Sequence, residues 1–198
     1  MTDTLEFFFD VGSPASYLAW TQLPALAERT GAVLRYRPML LGGVFKATGN
    51  ASPAAVPAKG RYTHHDMQRF ARRYGVTLTM NPHFPVNTLM GMRLATAALD
   101  TEHRDAMLTA LFEGMWRRER DLADPAVLAA TLSEAGLDAE HWAALAQDAG
   151  VKEALKATTE EAVARGVFGA PTFFVGEEMY FGQDRLDFVE AHLSGEPA

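Results

Sequence analysis

An α/β fold of order βαβ…ββα, with a large all-helical insertion between the two halves, is what this sequence predicts. Three observations predict it. An aromatic, strand-like run, Leu5 to Asp10, breaks at the turn residues Gly12-Ser13-Pro14. Helical periodicity then dominates for roughly a hundred central residues. Strand chemistry returns at Thr172-Phe173-Phe174-Val175. The expected division is 1–40 and 166–198 for the mixed half-folds, and 41–165 for the helical insertion.

Each element has a local cause. Leu5-Glu-Phe-Phe-Phe-Asp10 is a short apolar run bounded by a turn, which suits a buried strand. A helix is expected from Pro14, whose missing N–H costs nothing there, with Ser13 as N-cap. Ala19, Leu23, Leu26 and Ala27 share its face, and Gly31 ends it. Pro24 lies inside and is expected to kink or break it. Val33 to Pro38 alternates apolar and basic residues as a second strand, which a right-handed crossover makes parallel to the first. Leu40 to about Pro57, rich in Gly, Ala and Pro, reads as loop. Helical stripes follow: Met67-Phe70-Ala71-Tyr74, then Met90-Leu94-Ala97-Ala98 capped by Asn87, then Leu108-Leu111-Phe112-Met115. Asp124-Pro125 and Asp138 open two more helices, and another runs from about Lys152 to Arg165 before Gly166. Thr172–Val175, a turn at Gly176-Glu177-Glu178, and Met179-Tyr180-Phe181 form a hairpin. Gln183-Asp184-Arg185 opens the final helix, to about Leu193. A thioredoxin fold split by a helical insertion has this order.

Composition narrows the function. The chain has 198 residues, 48% hydrophobic and 22% charged, enough for a real core. A net charge of -7 argues against nucleic acid, whose phosphates call for a basic surface. No stretch approaches the roughly 18 apolar residues of a membrane span, and Met1 to Glu6 lacks a basic leader region, so a cytoplasmic protein is expected. The absence of cysteine excludes disulfides, thiolate metal sites and a cysteine nucleophile. His64 and His65 are adjacent, so on a helix they point about 100° apart and cannot chelate one ion. No two histidines stand at i, i+4, and His192 with Glu196 spans Gly195; no metal is expected.

Three short segments are candidates for chemistry. Ser13-Pro14-Ala15-Ser16 falls where the first strand meets the first helix. Thioredoxin-like enzymes place Cys-x-x-Cys at that turn, because helix N–H groups and the macrodipole stabilise a thiolate. With serines at both ends, Ser13 is either an N-cap alone or a hydroxyl facing a thiolate supplied from outside. Val167 to Thr172 contains Ala170-Pro171. This proline is a strand-entry device or, from its place in the fold, a cis-proline whose preceding residue offers free backbone N–H and C=O groups to an extended peptide. In Phe181-Gly182-Gln183-Asp184-Arg185-Leu186, Asp184 is a helix cap and Arg185 a surface charge, or the segment binds the charged end of a γ-glutamyl group. Ser13 has no evident His/Asp partner, so a serine triad is not expected.

Phe8-Phe9-Asp10-x-x-Ser13-Pro14-x-Ser16-Tyr17-Leu18-Ala19, Gly166 to Thr172, and Gly182-x-Asp184-Arg185-Leu186 together resemble the 2-hydroxychromene-2-carboxylate isomerase family. That family stands with the kappa-class glutathione transferases in the DsbA-like branch of the thioredoxin superfamily. The resemblance spans nearly the whole chain and implies glutathione as cofactor. Ser13 would lie beside its sulfur, Ala170 before cis-Pro171 would pair with its cysteinyl backbone, and Phe181, Gly182, Gln183 and Asp184 would hold its γ-glutamyl end. Phe45-Lys46-Ala47-Thr48-Gly49-Asn50 and Asn81 to Asn87 look like the loops that wall the family's site. Lys46, with Phe45 beside it, would meet a substrate carboxylate and Asn87 an aromatic oxygen, although a solvated lysine and a helix cap are equally open readings. Gln183 replaces an asparagine of some members and is expected to shift the γ-glutamyl contacts. Gly12 replaces a bulkier apolar residue and is expected to loosen the turn. The implied activity is glutathione-dependent isomerisation of an aromatic oxo-acid in the breakdown of naphthalene-like compounds. A kappa-type transferase or peroxidase and a non-catalytic glutathione binder are the alternatives. Relatives imply a homodimer.

Overall fold

The computed structural model describes residues 3–195, so the expected segment's last three positions, 196–198, and Glu196 lie outside it. Strand β1 (Thr4–Phe9) occupies the interior of a four-stranded sheet of order β2-β1-β3-β4. It pairs in parallel with β2 (Val33–Pro38), from Thr4 opposite Val33 to Phe9 opposite Pro38. On its other side β3 (Thr172–Val175) runs antiparallel with Phe7 opposite Phe173, and β4 (Glu178–Phe181) completes the hairpin. Helix α1 (Pro14–Thr30) makes the crossover from β1 to β2. Seven helices then intervene: α2 (Leu41–Thr48), α3 (Pro57–Tyr74), α4 (Leu89–Ala98), α5 (Arg104–Trp116), α6 (Pro125–Glu134), α7 (Ala139–Leu145) and α8 (Ala149–Ala164). After the hairpin, α9 (Leu186–Leu193) closes the fold. The βαβ…ββα order with a helical insertion is the predicted one.

Alternation along β1 sends its aromatics to both faces, which explains a continuous apolar run. Phe7 and Phe9 stack at 5.0 Å, and Phe7 lies 5.4 Å from Phe173. That face continues into the helical block, because Phe112 of α5 meets both Phe9 (5.6 Å) and Trp20 of α1 (5.1 Å). Phe8 and Phe174 point to the opposite face, where Met39, Val44, Ala162 and Val167 bury them in a second, smaller cluster. Trp116 ends α5 with its indole N–H donated to the Val11 carbonyl at 2.7 Å, fixing the block against the end of β1. Among the described residues, no helix is long and apolar enough to cross a membrane.

Three local expectations change. Leu40 to Pro57 is not simply loop: α2 forms there despite Gly42 and Gly43, followed by a 3-10 turn over Pro53–Ala55. The cap that permits α2 is distant in sequence. The Asp10 carboxylate accepts the Leu41 N–H (2.8 Å), and the Thr159 hydroxyl accepts the Leu40 N–H (3.0 Å). Pro24 does not break α1, which runs through it. Pro24 is exposed while its neighbours Leu23 and Leu26 are buried, so the lost hydrogen bond falls on the wet side and packing holds the rest. Helix α8 begins at Ala149, not near Lys152, because Asp148 caps it through the N–H groups of Gly150 (2.7 Å) and Val151 (3.2 Å).

Candidate active site

Ser13 stands at the N-cap of α1 with extended backbone, and its Oγ accepts the Ser16 N–H at 3.1 Å. The cap reading is therefore correct, and it is incomplete. The same hydroxyl donates to the Ala170 carbonyl at 3.0 Å, across 157 residues of sequence. Ala170-Pro171 is a cis peptide, so the fold brings the serine turn and the cis-proline loop into direct contact as expected. Ser13 is 5% exposed, at the rim and not in open solvent. One expectation needs correction: the Ala170 carbonyl is not free, since Ser13 uses it. Its N–H makes no hydrogen bond among the described residues, and neither does that of Ala15 in the first turn of α1. Two unpaired N–H donors and the positive end of a 17-residue helix thus surround one hydroxyl.

The loop beside Ser13 is shaped by close approach. Phe168 and Phe181 are both exposed, with ring centroids 4.5 Å apart. Gly169 lies against the Phe181 ring, where a Cβ would sit 2.7 Å from it, so a larger residue would have to push the ring aside. Gly182 adopts φ +103°, and a Cβ there would meet Asp184 Oδ1 at 2.4 Å. Asp184 therefore folds back over Gly182, and its other oxygen is held by the Arg185 guanidinium at 2.7 Å. Asp184 is neither a helix cap nor a free carboxylate; it is a half-exposed one with a single cation attached. Gln183 is 5% exposed as a residue; the buried side-chain polar atom without a hydrogen-bond partner among the described residues is Ser16 Oγ, in the first turn of α1.

Asp10 supports the turn from beneath. Its carboxylate accepts the Gly12 N–H (2.9 Å) as well as that of Leu41, and its carbonyl accepts the Ser13 N–H (3.0 Å). Burial pushes its pKa up, while the Leu41 and Gly12 N–H groups and the Thr88 hydroxyl pull it back. Gly12 does not loosen the turn. A Cβ on it would lie 2.8 Å from Thr88 Cγ2, so Thr88 fills the space a bulkier residue would take.

The expected substrate-side residues are less drawn together. Thr88 packs at the turn, which sets Asn87 next to it; the Asn87 side-chain oxygen accepts the Leu89 N–H (3.1 Å), one position before the true N-cap. Phe45 is half-buried, and Lys46 is exposed with no ion pair to the turn among the described residues. Asn50, quoted in the loop motif without a role, is better connected, because its amide donates to the Phe168 carbonyl at 2.8 Å. Tyr74 was also missed. Its hydroxyl donates to the Gln183 carbonyl at 2.7 Å, so α3 steadies the segment after β4. Only distance in the sequence hid these links.

Comparison with known proteins agrees with this geometry. The family model for the DSBA-like thioredoxin domain matches residues 4–194. A 2-hydroxychromene-2-carboxylate isomerase of Sphingobium xenophagum is 38% identical over 196 residues, covering 98% of this chain and 99% of that one. Glutathione S-transferase kappa 1 of Homo sapiens is 32% identical over 212 residues, with 98% and 91% covered. A solved structure of 2-hydroxychromene-2-carboxylate isomerase superposes with a TM-score of 0.87 at 28% identity, over 97% of this chain and 95% of that one. With a serine-capped turn against a cis-proline loop and relatives of these two kinds along its whole length, the chain belongs to the DsbA-like thioredoxin family, among the 2-hydroxychromene-2-carboxylate isomerases and kappa-class glutathione transferases.

Proposed function

We propose that the protein is a glutathione-dependent isomerase of 2-hydroxychromene-2-carboxylate-type aromatic oxo-acids. The observation that carries this is the Ser13 hydroxyl at a helix N-terminus, in contact with the residue before cis-Pro171, in a chain without cysteine. The residues fit a tripeptide thiol. The unpaired Ala170 N–H suits an extended backbone, and the half-exposed Asp184 carboxylate beside Gln183 suits an amino-acid end.

Glutathione, held by Ser13, Ala170 and the segment 181–184, would supply a soft nucleophile capable of reversible covalent addition to an electron-poor carbon. The protein's residues hold and polarise. Ser13 turns its proton from the Ala170 carbonyl toward the sulfur, and the Ala15 N–H with the α1 dipole favours the anion, lowering the thiol pKa. Asp10 fixes the turn so that this donor needs no reorganisation. Lys46, Phe45 and Asn87 remain the proposed substrate contacts, and a cytoplasmic homodimer the proposed state.

A second reading has specific support, since the human kappa-class relative matches over nearly the same length. Conjugation consumes glutathione and isomerisation returns it, so product analysis separates the two. Calorimetric titration with reduced glutathione, with S-methylglutathione alongside, tests the shared premise. Binding weakened by capping the sulfur is expected; no binding at millimolar ligand would falsify both readings. Ser13→Ala is expected to lower turnover about a hundredfold or more while costing about 1 kcal/mol of stability as a lost cap. Unchanged kinetics would reduce Ser13 to a cap.

A further inference from the structure

A cleft of about 820 Å³ opens between α2, α4 and α8, and shares no lining residue with the Ser13 turn, the cis-proline loop or the segment 181–184. Its size lies within the roughly 300–1,000 Å³ usual for small-molecule sites. Leu40, Leu89, Leu155 and Val163 supply apolar walls. Its charged lining consists of Arg93, Lys152 and Lys156 against Glu153 and Glu160. Lys156 is committed to both carboxylates, at 3.2 Å to Glu153 and 3.8 Å to Glu160. Arg93 and Lys152 have no carboxylate partner among the described residues; the Arg93 guanidinium donates weakly to the Met90 sulfur, at 3.9 Å. In a chain of net charge -7, two uncommitted cations on facing helices, α4 and α8, thus border one apolar cleft.

We propose that this cleft binds an amphipathic monoanion, an apolar body carrying one carboxylate, at a site separate from that of Ser13. The body lies along Leu40, Leu89 and Leu155, where its burial drives binding. The carboxylate sits between Arg93 and Lys152, where it accepts two parallel N–H bonds from the planar guanidinium and an ammonium adds a point charge. A neutral analogue of the same shape keeps the first contribution and loses the second, so charge discrimination is the signature of the site.

The test uses the full chain and the fluorescent anion anilinonaphthalene sulfonate as reporter, displaced by naphthoate or by neutral naphthalenemethanol. Saturable binding is expected, with naphthoate the stronger competitor. Arg93→Ala combined with Lys152→Ala is expected to weaken naphthoate about tenfold and to leave naphthalenemethanol unchanged; both positions lie at the cleft's rim. Saturating reduced glutathione and Ser13→Ala are expected to change neither affinity. Naphthoate affinity that survives the double substitution, or that is lost on adding glutathione, overturns the proposal, as does absence of displacement at millimolar naphthoate. Because the isomerase reading gives the Ser13 site an aromatic carboxylate as well, Lys46→Ala separates the two sites. Lys46 is outside the cleft lining, so this substitution is expected to leave naphthoate affinity unchanged, and loss of that affinity in Lys46→Ala alone overturns the proposal.

Discussion

Asp10 joins three chain segments through one carboxyl group: the serine turn, the start of α2 and the Thr88 end of the loop before α4. Asp10→Ala leaves two buried N–H groups without an acceptor, and is expected to cost about 3 kcal/mol by denaturant unfolding. Asp10→Asn keeps one acceptor and is expected to cost less. Equal stability of all three proteins would mean water replaces the carboxylate freely. Tyr36 and Tyr74 give a pH signature. Burial, the main cause in both, pushes each hydroxyl up to about 12, so the folded chain holds these protons more tightly than the unfolded one. Their contribution is fully present below pH 10 and is lost as the pH climbs toward 12. Burial also raises Tyr17 and Tyr180, so tyrosinate absorbance should show a spread titration in which Tyr36 and Tyr74 ionise late, together with unfolding; five superimposed titrations near the ordinary value would contradict this. The cap at Ser13 was legible from four residues of sequence. The Asp10, Asn50 and Tyr74 links were not, because each spans tens of residues and only tertiary structure pairs them.

Helix α8 docks on the sheet by charge as well as by apolar burial. Glu6 of β1 bonds Arg37 of β2 (2.6 Å) and Arg165 (2.7 Å), and Glu161 of α8 bonds both arginines again. The two guanidinium groups lie over aromatic rings, Arg165 at 3.7 Å from Phe174 and Arg37 at 5.0 Å from Phe8. Glu6 and Arg37 are 14% exposed, so neither is a surface charge free to find water. Glu6→Gln is expected to destabilise by about 2 kcal/mol, since it leaves two partly desolvated cations sharing the single carboxylate of Glu161. A double-mutant cycle with Arg165→Met should recover part of that loss; strict additivity would show that the pair is not coupled. Alternating apolar and basic residues in β2 were visible in the sequence, but the alternation does not say which helix supplies the counter-charge. Helix boundaries were likewise legible at the local Asp-based caps Asp124 and Asp138, while the equally local cap at Asp148 was overlooked, and α2 was missed because its cap comes from Asp10 beyond β1.

At the scale of the molecule, the insertion and the sheet share one core. Phe9, Trp20 and Phe112 come from β1, α1 and α5, and one buried cluster extends from them to Leu132 and Trp142. Unfolding followed by tryptophan fluorescence, which samples Trp20, Trp116 and Trp142, should coincide with the loss of helical dichroism. Two separated transitions would instead make the insertion an independent unit. The overall order of elements was legible because strand and helix periods differ so clearly at the two ends and the centre. The substrate side was not, because Phe45 and Lys46 of α2 and Asn87 before α4 come from separate segments whose mutual distances no periodicity encodes.

The fit of Gly12 against Thr88 also bears on descent. In this chain residue 12 and Thr88 compete for one space, since a Cβ on Gly12 would lie 2.8 Å from Thr88 Cγ2. Any path of single substitutions that enlarges residue 12 and reduces residue 88 therefore passes through a protein that is either overfilled or hollow beside the serine turn.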